Sequence, residues 1–238
     1  AAFPASDYIT FNGLLSEVGG QVTSGKEFDY SSEISCPCYI ADYPYTGIYE
    51  EDWSFEPDTT FGLQANATIN EHLSVTGQLV GRVADEFNVS LEWAYFSYIL
   101  NEQWTLQGGR KRLPLFYYSD FYDVGYAYTW IRPPGDLYGW QIVNYNGFNM
   151  LYQSQWGNWS ATGNIWLGSE TDDDNALLSD VYYLRRIEET WKDMLGGYLD
   201  LSYDWFNMRA VYMRNRLDRY DFPGGVNGAD AQQPKQQG

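Results

Sequence analysis

Hydrophobic and polar residues alternate with a period of two along most of the chain. In the segment 61–69, apolar side chains occupy the odd positions and small or polar ones the even positions. Similar alternation, less regular in the first and fifth of these segments, recurs at 8–24, 73–83, 89–95, 104–107, 141–155, 158–167, 199–204 and 206–212. Because successive side chains of a strand point to opposite faces, these nine segments predict an all-β, antiparallel fold.

The predicted strand 89–95 contains a charged residue, Glu92, whose orientation depends on the alternation. Strict alternation there places Leu91, Trp93 and Tyr95 on one face of the sheet and Glu92 on the other. For the segments 61–69, 73–83 and 89–99, the same rule predicts that the odd positions face lipid or a neighbouring subunit and that their even partners face water.

Strand length and loop length favour a membrane barrel over a soluble sheet. Several segments reach the ~9–11 residues that a tilted strand needs to cross a bilayer, whereas ordinary strands average ~5–6. Short connections on one side alternate with mostly long ones on the other, as in outer-membrane barrels. The short ones are 70–71, 101–102, 157–158 and 204–205, and the others are 25–58, 84–88, 113–138, 169–194 and the residues after 217.

Composition excludes some classes of function. The 238 residues carry a formal net charge of -18, which argues against nucleic acid as a partner because nucleic-acid binders present basic surfaces. Aromatic residues make up 18% of the chain, with 22 Tyr and 10 Trp, and these side chains suit a boundary between water and hydrocarbon. The longest mostly apolar run, 93–100, is far shorter than the ~20 residues of a membrane-spanning helix.

The run 58–139 resembles the outer-membrane porins of Gram-negative bacteria, including the phosphate- and sugar-selective kind. The resemblance rests on four stretches: Asn70-Glu71-His72-Leu73, Leu91-Glu92-Trp93, Gly109-Arg110 ahead of Leu113-Pro114, and Arg132-Pro133-Pro134. It implies a transmembrane β-barrel of roughly sixteen strands, within the bacterial range, and passive diffusion of small polar solutes and ions without enzyme activity. The implied location is the bacterial outer membrane, and the implied partners are its lipid, lipopolysaccharide and two further copies in a homotrimer.

The resemblance also predicts how this chain is organised. Residues 1–238 form one barrel domain, and its nine strands correspond to about the N-terminal half of such a barrel. The segment 221–238 is expected to be a loop or a truncated end, and the segments 8–24 and 206–215 are expected to have unpaired outer edges. The third connection on the long-loop side, 113–138, is expected to fold into the lumen as a constriction loop.

Charged residues at this constriction are the candidates for solute selectivity. They are Arg110, Lys111, Arg112, Asp120, Asp123, Arg132 and Asp136. Basic groups on one wall opposite acidic groups on the other would set a field across the lumen. Alternatively, these residues pair with each other and hold the loop in place. Alternation adds further lumen-facing positions, which are Gln64, Asn66, Gln78, Arg82, Glu92 and Arg209.

The long connections are acidic. The connection 25–58 holds nine acids and one lysine, and Asp172, Asp173 and Asp174 are consecutive. Carboxylate clusters can bind Ca²⁺, which would bridge them to lipopolysaccharide, although a solvated acidic surface is the simpler interpretation. No other cofactor is expected. Cys36 and Cys38 are candidates for a disulfide bond, because thiols outside the cytoplasm tend to oxidise.

An enzyme or a soluble binding protein is the alternative. The single histidine, His72, lies beside a predicted tight turn, and no Gly-x-Ser-x-Gly sequence occurs, which argues against a lipase. Glycoside hydrolysis requires only two carboxylates, which are abundant here. A secreted acidic β-sandwich that binds or hydrolyses carbohydrate therefore stays open at this point.

Overall fold

One antiparallel sheet of eleven strands dominates the computed structural model, which describes residues 2–6, 8–29, 34–42, 45–124, 129–130, 133–222 and 233–237. The strands in chain order are β1 (Ala2–Ser6), β2 (Ile9–Ser16), β3 (Phe28–Asp29), β4 (Ser35–Cys36), β5 (Tyr39–Asp42), β6 (Gly47–Tyr49), β7 (Thr60–Thr68), β8 (Leu73–Arg82), β9 (Val89–Ile99), β10 (Trp104–Arg112), β11 (Asn144–Trp156), β12 (Trp159–Asp172), β13 (Ile187–Tyr203), β14 (Phe206–Asp221) and β15 (Gln233–Gln237). Strands β3 with β4 and β5 with β6 form two small hairpins, and the others follow one another in the large sheet. The predicted all-β antiparallel fold is confirmed.

Helical segments occur only in the connections of the described chain. Helix α1 spans Gly135–Tyr138, and a π-helical segment spans Leu177–Tyr183. In the part of the chain that the structure describes, none of the helices has the length and apolar character needed to cross a membrane.

One face of the sheet, here called the apolar face, carries rows of exposed apolar side chains. Leu63 pairs with Leu79, and Leu79 pairs with Leu91, across β7, β8 and β9. The same face continues on β11 and β12, where Phe148 pairs with Leu167. Leu63 and Phe148 are each 51% exposed to solvent. The alternation predicted from the sequence therefore produces a continuous apolar surface that the described residues leave uncovered.

The opposite face, here called the polar face, carries a hydrogen-bonded network of side chains. On β7, the Gln64 amide donates to Asn66, and on β8 the Gln78 amide donates to Gln64 at 3.1 Å. The Thr76 hydroxyl donates to the same Asn66 oxygen at 3.1 Å. The strand register places Gln64, Asn66 and Gln78 on the face opposite the apolar side chains, as the alternation predicted.

A β-bulge at Glu92 changes which side chains β9 directs to the polar face. In the register between β8 and β9, Trp93 pairs with Gln78 of the polar face, and Leu91 stays on the apolar face. Glu92, between them, lies opposite no residue of β8 in this register. Beyond the bulge Tyr95 also lies on the polar face, beneath an ammonium group. The prediction that Trp93 and Tyr95 share the face of Leu91 is therefore wrong, because one inserted residue reverses the alternation.

Strands β12, β13 and β14 extend further than predicted. Strand β13 begins at Ile187 rather than near 199, and β14 continues to Asp221. The predicted connection 169–194 shortens accordingly to 173–186. Register shifts between Gly168 and Glu170 and between Lys192 and Leu195 interrupt the alternation. The alternating sequence pattern therefore covers only part of the length over which these strands are hydrogen-bonded to each other.

Two strands pair where the sequence predicted none. Strand β15 pairs along Leu217–Asp221, so the prediction of a loop over the whole of 221–238 is wrong for 233–237. Strand β1 covers residues 9–12 of β2, so the expected free edge at 8–24 is partly occupied. Among the described residues, 206–216 of β14 have no partner on their outer side, as expected. All long strands belong to one sheet, so the described residues do not form a β-sandwich.

The apolar core lies between the sheet and the connection from β10 to β11. Six side chains form it: Leu113, Ile142, Tyr145, Trp166, Trp191 and Met194. Trp166 pairs with Asn149 and Tyr145 pairs with Lys111, both polar partners on neighbouring strands. Since Leu113 and Ile142 lie at the two ends of the connection, the core fixes both of its ends on the sheet.

Candidate functional site

The connection between β10 and β11 lies across the polar face and is held at two distant points. Near its middle, the Asp123 carboxylate pairs with Arg82 of β8 at 2.9 Å. Closer to its start, the carbonyl oxygen of Phe116 accepts a hydrogen bond of 2.7 Å from Arg209 of β14. Strands β8 and β14 are separated by five strands in the sheet. The connection therefore bridges most of the width of the polar face.

Four buried charges, here called the ionic clamp, form the first attachment. They are Arg82 of β8, Glu92 of β9, Arg112 of β10 and Asp123 of the connection. Arg82 lies 2.8 Å from Glu92, and Arg112 lies 3.2 Å from Glu92 and 2.5 Å from Asp123. No side chain of the four is more than 8% exposed. Two cations face two anions, so the cluster is neutral as a whole.

Two further residues complete the surroundings of Glu92, namely Asn144 at the start of β11 and Tyr45 between β5 and β6. The Asn144 amide donates to the Glu92 carboxylate at 2.7 Å, and the Tyr45 hydroxyl donates to it at 3.0 Å. The Arg82 guanidinium lies 3.9 Å above the centre of the Tyr45 ring. Burial raises the pKa of Tyr45 well above its usual value, because it outweighs the opposing effect of the two arginines, and the neighbouring carboxylates act in the same direction as burial. The hydroxyl therefore stays protonated and remains a donor.

The second attachment is centred on Arg209. Its guanidinium lies 2.6 Å from Asp200 on the neighbouring strand β13. It also lies above two aromatic rings, with 4.2 Å to the centre of Tyr198 and 5.3 Å to that of Tyr117 in the connection. Arg209 was predicted to face the lumen, and the structure places it on the polar face in contact with the connection.

Asp120 is an exposed acid on the connection, between the two attachments. Within the described chain its carboxylate forms no direct ion pair. It is nevertheless close enough to Lys111 of β10 and to Arg209 for an electrostatic interaction with each. Lys111 contacts the amide oxygens of Gln107 and Asn149. An acidic side chain of the connection thus lies near basic side chains of the sheet.

A cavity of about 450 Å³ separates the connection from the wall formed by β2, β7, β8 and β9. Gln64, Gln78 and Trp93 line it from the wall, and Asp120 and Phe121 line it from the connection. Below, this space is called the wall cavity. It lies where the polar face and the connection leave a gap between them.

The three consecutive basic residues of β10 do not act together. Arg112 belongs to the ionic clamp, and Lys111 lies among the amides of the polar face. Arg110 instead pairs with Glu170 of β12 at 2.7 Å and donates to the carbonyl of Leu91. The three residues therefore have three separate sets of partners and do not form the one basic wall that had been expected.

The remaining candidates at the constriction are only partly described. Asp136 lies in helix α1, although its side chain is not among those described, and Arg132 lies outside the described residues. Tyr45 and Asn144 were not predicted, because nothing in the period-two pattern connects them to Glu92. They reach Glu92 through tertiary contacts across 47 and 52 positions of the sequence.

The cysteines and the acidic triplet take no part in the two attachments of the connection. Cys36 and Cys38 are joined by a disulfide bond. Asp172 accepts a hydrogen bond from Asn175, and Asp174 accepts one from Ser179. Among the described residues, no group of three or more His, Cys, Asp or Glu side chains is arranged to hold a metal ion.

Comparison with known proteins adds little to this description. No protein-family model matches the chain, and no curated protein matches it. Among solved structures, the chain is similar to OmpTΔL8, a loop L8 deletion mutant of OmpT, an outer membrane protein of Vibrio cholerae. The identity is 10%, the TM-score is 0.37, and the match covers 94% of this chain and 72% of that chain. A similarity of this size does not establish a family.

Proposed function

We propose that this protein is an outer-membrane β-barrel channel of the porin type, through which small polar solutes and ions diffuse. The observation that carries the proposal is the opposite character of the two faces of one sheet. The apolar face is exposed, and the polar face carries the charged connection. In this proposal the apolar face contacts lipid or a neighbouring subunit of a homotrimer. The polar face lines a water-filled lumen, and the acidic connections face lipopolysaccharide.

The energetics of the apolar face support a hydrocarbon environment. Leaving a leucine exposed instead of burying it forgoes roughly 1.5–3 kcal/mol. Leu63, Leu79, Leu91, Phe148 and Leu167 are all exposed on this face. Contiguous apolar surfaces of this kind mark contact with a membrane or a protein partner. An antiparallel sheet with one apolar and one polar face is the arrangement that membrane barrels use.

Aromatic side chains at the short turns support the same orientation. Trp104 packs against Tyr152 with 4.7 Å between ring centres, and Trp159 packs against Tyr203 at 4.8 Å. Trp205, in the turn between β13 and β14, is 84% exposed. Tyr and Trp concentrate at the interface between hydrocarbon and water. This end of the sheet therefore corresponds to the short-turn rim of a membrane barrel.

Among the described residues, the polar face offers positions for solutes but no arranged catalytic group. Glu92 and Asp123 are buried carboxylates at the connection, and both are engaged by Arg82 and Arg112. A glycosidase would need one carboxyl group free to donate a proton and a second one free to act on the sugar. We therefore propose passive diffusion without bond chemistry.

Single-channel conductance in planar bilayers tests the proposal. Phe121 is 53% exposed and lines the wall cavity from the connection. The variant Phe121→Ala should raise conductance roughly 1.2- to 2-fold, because conductance follows the open cross-section. Phe148→Ala, which removes a similarly exposed ring from the apolar face, is the matched control and should leave conductance unchanged. If the inserted protein does not conduct at all, the channel proposal is wrong.

A further inference from the structure

We infer that the channel prefers small cations over anions, and that Asp120, at the wall cavity, is the residue that sets this preference. The inference rests on the proposed channel function and extends it to the class of solute. It follows from which charges near the wall cavity are neutralised by a partner and which are not.

Among the described residues, Asp120 is the only charged side chain that lines the wall cavity. The other lining groups include the amides of Asn12, Gln64 and Gln78 and the rings of Trp93 and Phe121. Amide oxygens can replace part of the hydration shell of a cation or accept hydrogen bonds from an ammonium group. From the described lining, a solute in this space therefore meets one full negative charge and no full positive charge.

The basic residues near the wall cavity are largely compensated. Arg82 and Arg112 are buried, and Glu92 and Asp123 balance their charges within the ionic clamp. Arg209 is balanced by Asp200 at 2.6 Å. A neutral cluster has a field that decays quickly with distance, so it adds little to the potential in the gap.

Lys111 of β10 is, among the described residues near the wall cavity, the cation that acts against the preference. It has no carboxylate within ion-pair distance among the described residues, and it interacts electrostatically with Asp120. Its position on β10 places it outside the lining of the wall cavity. Asp120 lines the wall cavity and Lys111 does not, so we expect Lys111 to weaken the effect of Asp120 on a solute there without cancelling it.

The connections on the long-loop side reinforce the selection of cations. The chain carries a formal net charge of -18, and the connection 25–58 alone holds nine acids and one lysine. Carboxylates at a narrow entrance raise the local concentration of cations and lower that of anions. The acidic connections and Asp120 in the wall cavity therefore both favour cations over anions.

The test is the reversal potential of the full-length protein in planar bilayers under a KCl gradient. The wild-type protein should pass K⁺ in preference to Cl⁻, and Asp120→Asn should lower the permeability ratio about 2- to 5-fold. Lys111→Met should raise the ratio. Glu102→Gln removes an equal charge from an exposed position in a short turn and should leave the ratio unchanged. The preference should be stronger in 0.1 M than in 1 M salt, because the screening length shortens from ~10 to ~3 Å.

The possible results separate this inference from the channel proposal. A conducting protein that prefers Cl⁻, or whose ratio is the same with asparagine at 120, overturns the inference and leaves the channel proposal standing. An inserted protein that does not conduct overturns both. Because Asp120 is exposed and holds no ion pair within the described chain, its asparagine variant is expected to fold, so a loss of preference reports on charge.

Discussion

Replacing Leu63 with arginine is expected to prevent the protein from assembling in a membrane, whereas arginine at the adjacent Gln64 is expected to be tolerated. Leu63 is half exposed on the apolar face, where it pairs with Leu79. Gln64 points to the polar face, where it hydrogen-bonds with Gln78. An arginine at the middle of the bilayer costs about 2–4 kcal/mol, and the same side chain in a water-filled lumen costs little.

Insertion into lipid vesicles, followed by protease protection, measures this difference. Gln64→Arg should yield a protected fraction close to that of the wild-type protein, and Leu63→Arg should yield little or none. Leu79→Arg provides a second position on the same face, and it should behave as Leu63→Arg does. Equal assembly of the variants at 63 and 64 would show that the apolar face does not contact hydrocarbon.

Most of the sheet could be predicted from the sequence because period-two alternation depends only on local geometry. The segments 61–69 and 73–83 illustrate this, since they correspond closely to β7 and β8. Alternation fails where a strand carries an extra residue. The bulge at Glu92 and the shifts near Gly168 and Lys192 reverse or interrupt the pattern. Strand β15 was missed because its sequence, Gln-Pro-Lys-Gln-Gln, has no apolar face.

The candidate site could be predicted only in its composition. The sequence indicated that charges near the connection were important, and it left open whether they select solutes or hold the connection. The structure separates them by their contacts. Arg112 and Asp123 hold the connection, whereas Asp120 and Lys111 have no direct ion pair among the described residues. This division depends on contacts between residues far apart in sequence, such as Arg82 with Asp123 and Arg209 with Phe116. No local pattern encodes them.

The ionic clamp gives the second large expected effect. Asp123 is the contribution of the connection to the clamp, and it is buried between Arg82 and Arg112. In Asp123→Ala, both arginines keep Glu92 but lose half of the compensating charge. Removing one partner from a buried ion pair typically costs about 3–5 kcal/mol, much of it from the charge left without a partner. That cost exceeds what a single exposed ion pair contributes, so the connection should detach from the β8 side of the wall.

Detachment should widen the lumen and add fluctuations, since the attachment at Arg209 would remain. We therefore expect Asp123→Ala to show higher single-channel conductance and frequent transitions between conductance levels, with the sheet still assembled in the membrane. Arg216→Ala is the control, because it removes an ion pair with Asp193 in which the arginine side chain is 68% exposed. Exposed pairs of this kind contribute little to stability. If Asp123→Ala conducts as steadily as Arg216→Ala and the wild-type protein do, then the apolar core around Leu113 and Ile142 is sufficient to hold the connection without the clamp.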